Sequence, residues 1–225
     1  MIIKRLLKKY HTWKFAKSQR YKVFKKGTLL NAFHESKTIF IHIPKTAGIS
    51  LLKAIYGDVT LEGHRSLYFN RIALKSDKDN YFSFSFVRNP YDRLYAAYKF
   101  LEKGGINKLD KIAFETHLEK FKDFEDFVVN GLDKKLIFQI THLIPQSDFL
   151  CNTKGQILVD FIGRFENLEE DVKRLSLKLE KEIEVDHLNK NMKELSYTDV
   201  YTNEMIEKVK EIYKKDLAIF KYNFK

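Results

Sequence analysis

The stretch Thr38 to Leu52, TIFIHIPKTAGISLL, leaves this chain few ways to fold. Thr38 to Ile43 is a short run of β-branched residues and Phe that stops at Pro44, which reads as a buried strand. Gly48 lets the backbone turn closely, and Ile49, Leu52, Ile55 and Tyr56 then follow helical spacing. A strand, a tight loop and a helix start present backbone N–H groups with no partner in the helix, at the end where the dipole favours an anion. Lys45 adds a mobile positive charge, and Thr46 and Ser50 add hydroxyl donors. The chemistry is that of a cradle for a phosphate or sulfate ester. It is not a Walker A loop, because Lys45-Thr46 precedes Gly48 instead of following a glycine.

A chain of 225 residues predicts one α/β domain with extensions, and 19 Phe and 12 Tyr allow a sizeable core. One cysteine, Cys151, excludes an intramolecular disulfide and a Cys-based zinc site, and fits a reducing compartment. Charge divides the chain. Residues 1–37 hold eleven Lys and Arg and one acid, Glu35, for a net +10; the remainder holds 30 bases and 29 acids, for +1. The boundaries expected are a basic N-terminal arm over 1–37 and a catalytic domain over 38–225. No apolar run reaches the ~18 residues of a spanning helix. The start is too charged for a secretory signal.

Residues 2–14 fit an amphipathic helix. Ile2, Ile3, Leu6, Leu7, Tyr10 and Trp13 fall on one face; Lys4, Arg5, Lys8, Lys9, His11 and Thr12 fall on the other. That face suits an anionic membrane surface, or else packs on the domain or on a second copy. Residues 15–37 read as a basic connector. Nucleic acid is disfavoured as a partner, since no reader motif accompanies the charge.

Further along, Gly63 marks a turn beside His64. Tyr81 to Val87 is a second strand that runs into Arg88-Asn89-Pro90, with Asn89 the N-cap and Pro90 the first helical residue. Tyr91, Leu94, Tyr95, Tyr98 and Leu101 form the apolar stripe of that helix. Arg88 therefore stands at a strand's C-terminal end, where open α/β sheets bind ligands. Asp92 and Arg93 read as a local ion pair. Helices broken by Gly131 fill the middle, and His142 to Gln146 is a loop. Ile157 to Phe165 reads as a strand, followed by a helix capped by Asn167 with Glu170 completing a capping box. A last helix runs through Met205 to Tyr213. Strands alternating with helices predict a P-loop-like, three-layer α/β fold with a mainly parallel central sheet flanked by helices.

FIHIPKTAGISL followed by FVRNPYDRLYAAY resembles the carbohydrate sulfotransferases of the heparan 2-O and chondroitin/HNK-1 type, including their bacterial relatives. The resemblance continues through HLIPQSDFL, VDFIGRFENLEED, HLNKN and YKKDLAIFKY, over roughly residues 38–224. It implies 3′-phosphoadenosine 5′-phosphosulfate (PAPS) as sulfuryl donor and no metal. Lys45, Thr46, Ala47, Gly48, Ile49 and Ser50 map onto the loop that holds the 5′-phosphosulfate. Arg88 maps onto the ligand of the 3′-phosphate. Two positions depart from the pattern. Ala96 stands where a Ser usually gives a second 3′-phosphate ligand, and Ile49 where Thr is common. One hydroxyl lost from a charged group costs about 1.5–3 kcal/mol. Lys190 or Lys193 is a replacement donor by position.

The reaction implied is in-line attack of a carbohydrate hydroxyl on the sulfur, with Lys45 stabilising charge on the departing bridging oxygen. His64, placed like the base of the heparan 2-O enzymes, is the first candidate base, and His142 the second. His42 reads as packed beside the loop, and His187 as shaping the cofactor pocket or as structural. Two other classes stand beside this reading. One is an ATP-dependent kinase, for which Ile157-Leu158-Val159-Asp160 mimics a Walker B strand. The other is a non-enzymatic membrane- or nucleic-acid-binding protein that works through the arm. The location expected is cytoplasmic, peripheral on the inner membrane.

Overall fold

A computed structural model describes residues 2–75, 81–185 and 196–225. His187, Lys190 and Lys193 lie outside the described residues. In chain order the elements are helix α1 (Ile2–Ser18), helix α2 (Leu29–Ser36), strand β1 (Thr38–Ile41), α3 (Gly48–Tyr56), α4 (Leu67–Leu74), strand β2 (Phe82–Val87), α5 (Pro90–Glu102) and α6 (Lys108–His117). They continue with α7 (Phe124–Asp126), α8 (Ser147–Leu150), strand β3 (Phe161–Arg164), α9 (Leu168–Leu179), α10 (Tyr197–Val200), α11 (Asn203–Ile212) and α12 (Lys214–Phe220). The chain divides into two compact units, one of residues 1–43, 47–86 and 149–188, the other of 44–46, 87–148 and 189–225.

The first unit holds the three-stranded sheet, in the order β1-β2-β3. β1 and β2 run parallel, from Thr38 opposite Phe82 to Ile41 opposite Ser85. A parallel pair needs a crossover connection, and α3 and α4 supply it. All of β1 is buried, as its unbroken apolar run requires. The serines of β2 are buried too, and each is satisfied. Ser85 Oγ donates to Ile41 O at 2.7 Å. Ser83 donates from N and Oγ to Asp160 Oδ2 at 2.7 and 2.6 Å.

Three local expectations change here. The segment read as a connector instead carries the end of α1, a 3-10 turn over Arg20–Phe24 and α2. Val23, Leu30 and Phe33 are buried, and Thr28 caps α2 by accepting from Asn31 N. Arg20 ties the turn down through two bonds to Ile72 O, at 3.0 and 3.1 Å. β3 is only four residues long. Ile157 makes an isolated antiparallel bridge to Cys151, and Asp160 is drawn to Ser83. Asn167 precedes α9 without a side-chain cap, because a 3-10 turn over Phe165–Asn167 runs straight into the helix.

α1 is longer than its amphipathic pattern predicts and packs along α4. Ala16 is buried, and the Phe15 and Phe69 rings lie 5.7 Å apart. Leu7, Tyr10 and Trp13 nevertheless stay 51%, 54% and 40% exposed.

The second unit is built on α5. Asn89 Oδ1 accepts from Tyr91 N, and Pro90 opens the helix. Tyr91, Leu94, Tyr98 and Leu101 pack with Leu118, Phe124, Phe127, Val128, Met205, Val209 and Tyr213 in one apolar core. A π turn over Phe127–Gly131 extends α7. A Cβ on Gly131 would lie 2.2 Å from the Phe121 ring, so any larger residue there displaces that ring.

Candidate active site

Two non-glycine residues of the loop after β1 take left-handed backbone angles, Lys45 at φ 67° and Ala47 at φ 61°. Each such residue costs about 1–3 kcal/mol and persists only where its surroundings hold it. The sequence pointed to Gly48 as the turning residue, but the turn is made by its neighbours. Gly48 is the first residue of α3, and it has another reason to be glycine. A Cβ there would lie 1.8 Å from His42 Cδ2 and 2.3 Å from Nε2. The imidazole of His42 fills that space, stacked 6.2 Å from Phe40 and tilted at 4.3 Å against the ring of His64. Ile49 is largely exposed and Ser50 half-buried on the first turn of α3. Here the early N–H groups have no acceptor within the helix.

His64 lies in the same unit, on the loop after Gly63. Its Nδ1 is 2.9 Å from the backbone oxygen of His42. A carbonyl only accepts, so this contact puts the proton of neutral His64 on Nδ1 and the basic lone pair on Nε2.

The second unit gathers Lys45, Arg88, Ala96 and His142 around α5. Arg88 follows the last residue of β2. Its Nε and Nη2 donate to the two carboxylate oxygens of Asp92 at 2.6 and 2.8 Å. Its Nη1 donates to Lys45 O at 3.0 Å, holding the loop at its left-handed residue. The Lys45 ammonium lies 4.2 Å from the centre of the Phe100 ring. Asp92, Ala96 and Phe100 succeed one another at four-residue spacing on one face of α5. Ala96 thus sits between the group that pairs with Arg88 and the ring under Lys45. Thr46 is fully buried. His142 packs 5.0 Å from Phe100, and its Nδ1 is 3.8 Å from Asp110 Oδ1. An oxygen thus lies near Nδ1 of both candidate bases, at hydrogen-bond distance in His64 and farther off in His142.

The expected Asp92–Arg93 pair is not formed, because Asp92 is engaged by Arg88. Arg93 points the other way and is 1% exposed. Its two terminal nitrogens donate to His142 O and Ile144 O at 3.1 and 2.9 Å. Burial lowers the guanidinium's pKa, against the nearby Tyr213 and Asp216, which raise it. Sequence reasoning also passed over Gln146, Asp110, Asp216 and Phe100. Pro145-Gln146 was visible as part of a loop motif, but nothing in one dimension paired it with Arg88. Asp160, the Walker B mimic, accepts from Ser83 near the start of β2, away from the strand's C-terminal end. Among the described residues, no group of three or more His, Cys, Asp and Glu side chains is arranged to hold a metal ion.

Comparison with curated proteins and with solved structures returned no match. The model of the Sulfotransferase family matches residues 30–223. The match takes in the loop at Lys45, Arg88, α5 and both candidate bases, and extends upstream to α2. Nearly the whole chain is covered, and sulfuryl transfer is the chemistry of the class: this protein belongs to the sulfotransferase family.

Proposed function

We propose that the chain transfers a sulfuryl group from PAPS to a hydroxyl of a carbohydrate, a cell-surface glycan or its precursor. The observation that carries the donor is the bond from Arg88 Nη1 to Lys45 O. It joins Lys45, the cation of the loop assigned to the 5′-phosphosulfate, to the guanidinium assigned to the 3′-phosphate. Lys45 to Ser50 supply an ammonium, two hydroxyls, a left-handed backbone and the start of α3, a donor set that suits a sulfated phosphate. PAPS supplies the sulfuryl group and a bisphosphate leaving group. Lys45 leaves its place over Phe100 to neutralise charge that grows on the bridging oxygen, an interaction strongest in the transition state. His64 Nε2 takes the acceptor's proton as the new O–S bond forms. His142, braced by Asp110, is the second candidate. The carbohydrate acceptor rests on the resemblance of the motifs to carbohydrate sulfotransferases.

The enzyme is placed in the cytoplasm, peripheral on the inner membrane. Exposed Leu7, Tyr10 and Trp13 beside Lys9, Lys14 and Lys17 suit an anionic bilayer, and the first acidic residue of the chain is Glu35. Trp13 is the sole tryptophan. Its emission shifts to the blue with phosphatidylglycerol vesicles and not with phosphatidylcholine vesicles; no shift with either removes the membrane from the proposal.

The test of the donor is a thermal-shift titration with adenosine 3′,5′-bisphosphate (PAP), AMP, ADP and ATP–Mg²⁺. A ligand that binds only the folded state raises the midpoint with concentration. PAP stabilises the protein far more than AMP, ADP or ATP–Mg²⁺, and Arg88→Ala reduces its effect to that of AMP. Stabilisation by ATP–Mg²⁺ without PAP would replace the proposal with a kinase.

A further inference from the structure

We infer that Gln146, anchored by Asp216, is the positioning residue that sets Arg88 for the donor's 3′-phosphate. This rests on the reading of Arg88 given above. Arg88 is the first residue beyond β2, where the backbone pairing of the sheet ends, so its N–H and C=O need other partners. Gln146 provides both. Its Oε1 accepts from Arg88 N at 2.9 Å, and its Nε2 donates to Arg88 O at 2.8 Å. A primary amide carries an acceptor and a donor side by side, so it grips one residue's backbone at two points as a neighbouring strand would. Gln146 is itself buried and held. Its N–H donates to Asp216 Oδ2 at 2.6 Å, and the N–H of Ser147 donates to Asp216 Oδ1 at 2.9 Å. Asp216 is fully buried.

The rest of the loop is pinned from the same side. Arg93 holds the carbonyls of His142 and Ile144, and Tyr213 OH donates to Leu143 O at 2.7 Å. The loop over 142–147 is thus tied at its backbone to α5, α12 and the residue before α12. Arg93 Nε and Ser147 Oγ are buried without a partner, but every backbone tie named here is made, and such a network rigidifies what it touches. The division of labour follows from the atoms. Gln146 fixes the main chain of Arg88, Asp92 fixes its guanidinium, and together they set where the positive charge is presented. A displacement of about 1 Å in such a group is enough to cost orders of magnitude in function.

A residue that only stabilised the fold would affect every nucleotide alike, whereas one that positions Arg88 affects only ligands with a 3′-phosphate. The experiment is calorimetric titration of the full chain with PAP and with AMP, which lacks that group. Wild type prefers PAP, and Arg88→Ala loses the preference. Gln146→Met, matched in length and unable to make either bond, weakens PAP at least tenfold and AMP less than twofold. Asp216→Asn keeps the shape and one acceptor, and shifts the ratio the same way by less; it decides the matter if Gln146→Met does not fold. Equal weakening of PAP and AMP, or PAP affinity unchanged, overturns the role of Gln146. A PAP preference that survives Arg88→Ala overturns the reading of Arg88 and this inference with it.

Discussion

Gly48 and His42 make an unusually sharp test of the loop's packing. Alanine at 48 would place its Cβ 1.8 Å from His42 Cδ2, far inside contact distance. Moving the ring aside would disturb its stacking on Phe40 and its tilted contact with His64. Forcing a methyl into such a site costs about 1–3 kcal/mol. Against this, Gly48 begins a helix, where Ala is better than Gly by at most about 0.5–1 kcal/mol. The single substitution Gly48→Ala is therefore destabilising by up to about 2.5 kcal/mol. For a chain of this size that is a fall of up to about 10 °C in the thermal midpoint. His42→Ala removes the ring but keeps the backbone carbonyl that holds His64. In that background Gly48→Ala becomes neutral or stabilising. The coupling between the two positions is about 1–3 kcal/mol, read from a double-mutant cycle of urea or thermal unfolding. Additive effects, with the same loss in both backgrounds, would refute the contact as the reason for the glycine.

Four other outcomes follow from particular contacts. Lys45→Ala lowers PAPS-dependent turnover by a factor of about a hundred or more, with PAP binding reduced far less; near-normal turnover would show that the loop does not serve the transition state. Ala96→Ser, one helical turn from Asp92, raises PAP affinity about tenfold by restoring a hydroxyl to a charged group, measured by calorimetry; no gain would place the 3′-phosphate elsewhere. Arg93→Met strands the buried carbonyls of His142 and Ile144 and destabilises the protein by about 2–4 kcal/mol in urea unfolding; a loss under about 1 kcal/mol would mean the loop is held without it. Burial, followed by Glu207 and Tyr197, pushes the Tyr91 hydroxyl up to about 12 from its ordinary value of 10.0. The unfolded chain then binds fewer protons between those values, so stability is full below pH 10 and falls as pH rises toward 12. Thermal midpoints across that range show the fall, and Tyr91→Phe makes it shallower; an identical slope in the variant would assign it to other groups.

The candidate site was legible where chemistry is consecutive in the chain. Lys45 to Ser50 are neighbours by covalent bond, so their donor set could be read directly. Arg88 was legible from its place between a strand and an Asn-Pro helix start. The surroundings of those residues were not. Asp92 looks in one dimension like the partner of the adjacent Arg93, yet residues four apart share a helix face and residues one apart do not. Arg88 therefore takes the carboxylate, and Arg93 turns inward to two carbonyls some fifty positions away in the chain.

The chain alone specified the alternation of strands and helices, a mainly parallel sheet, the cap at Asn89 and the concentration of positive charge in residues 1–37. These depend on local pattern, and local pattern is what periodicity and capping report. Only the tertiary structure decided that α2 belongs to the folded body, that β3 is short, that Gly48 makes room for His42, and that Gln146 and Asp216 hold the backbone of Arg88. Each of those depends on which side chains far apart in the chain pack together or pair when buried, a condition that acts across the fold and leaves no periodic trace in the chain.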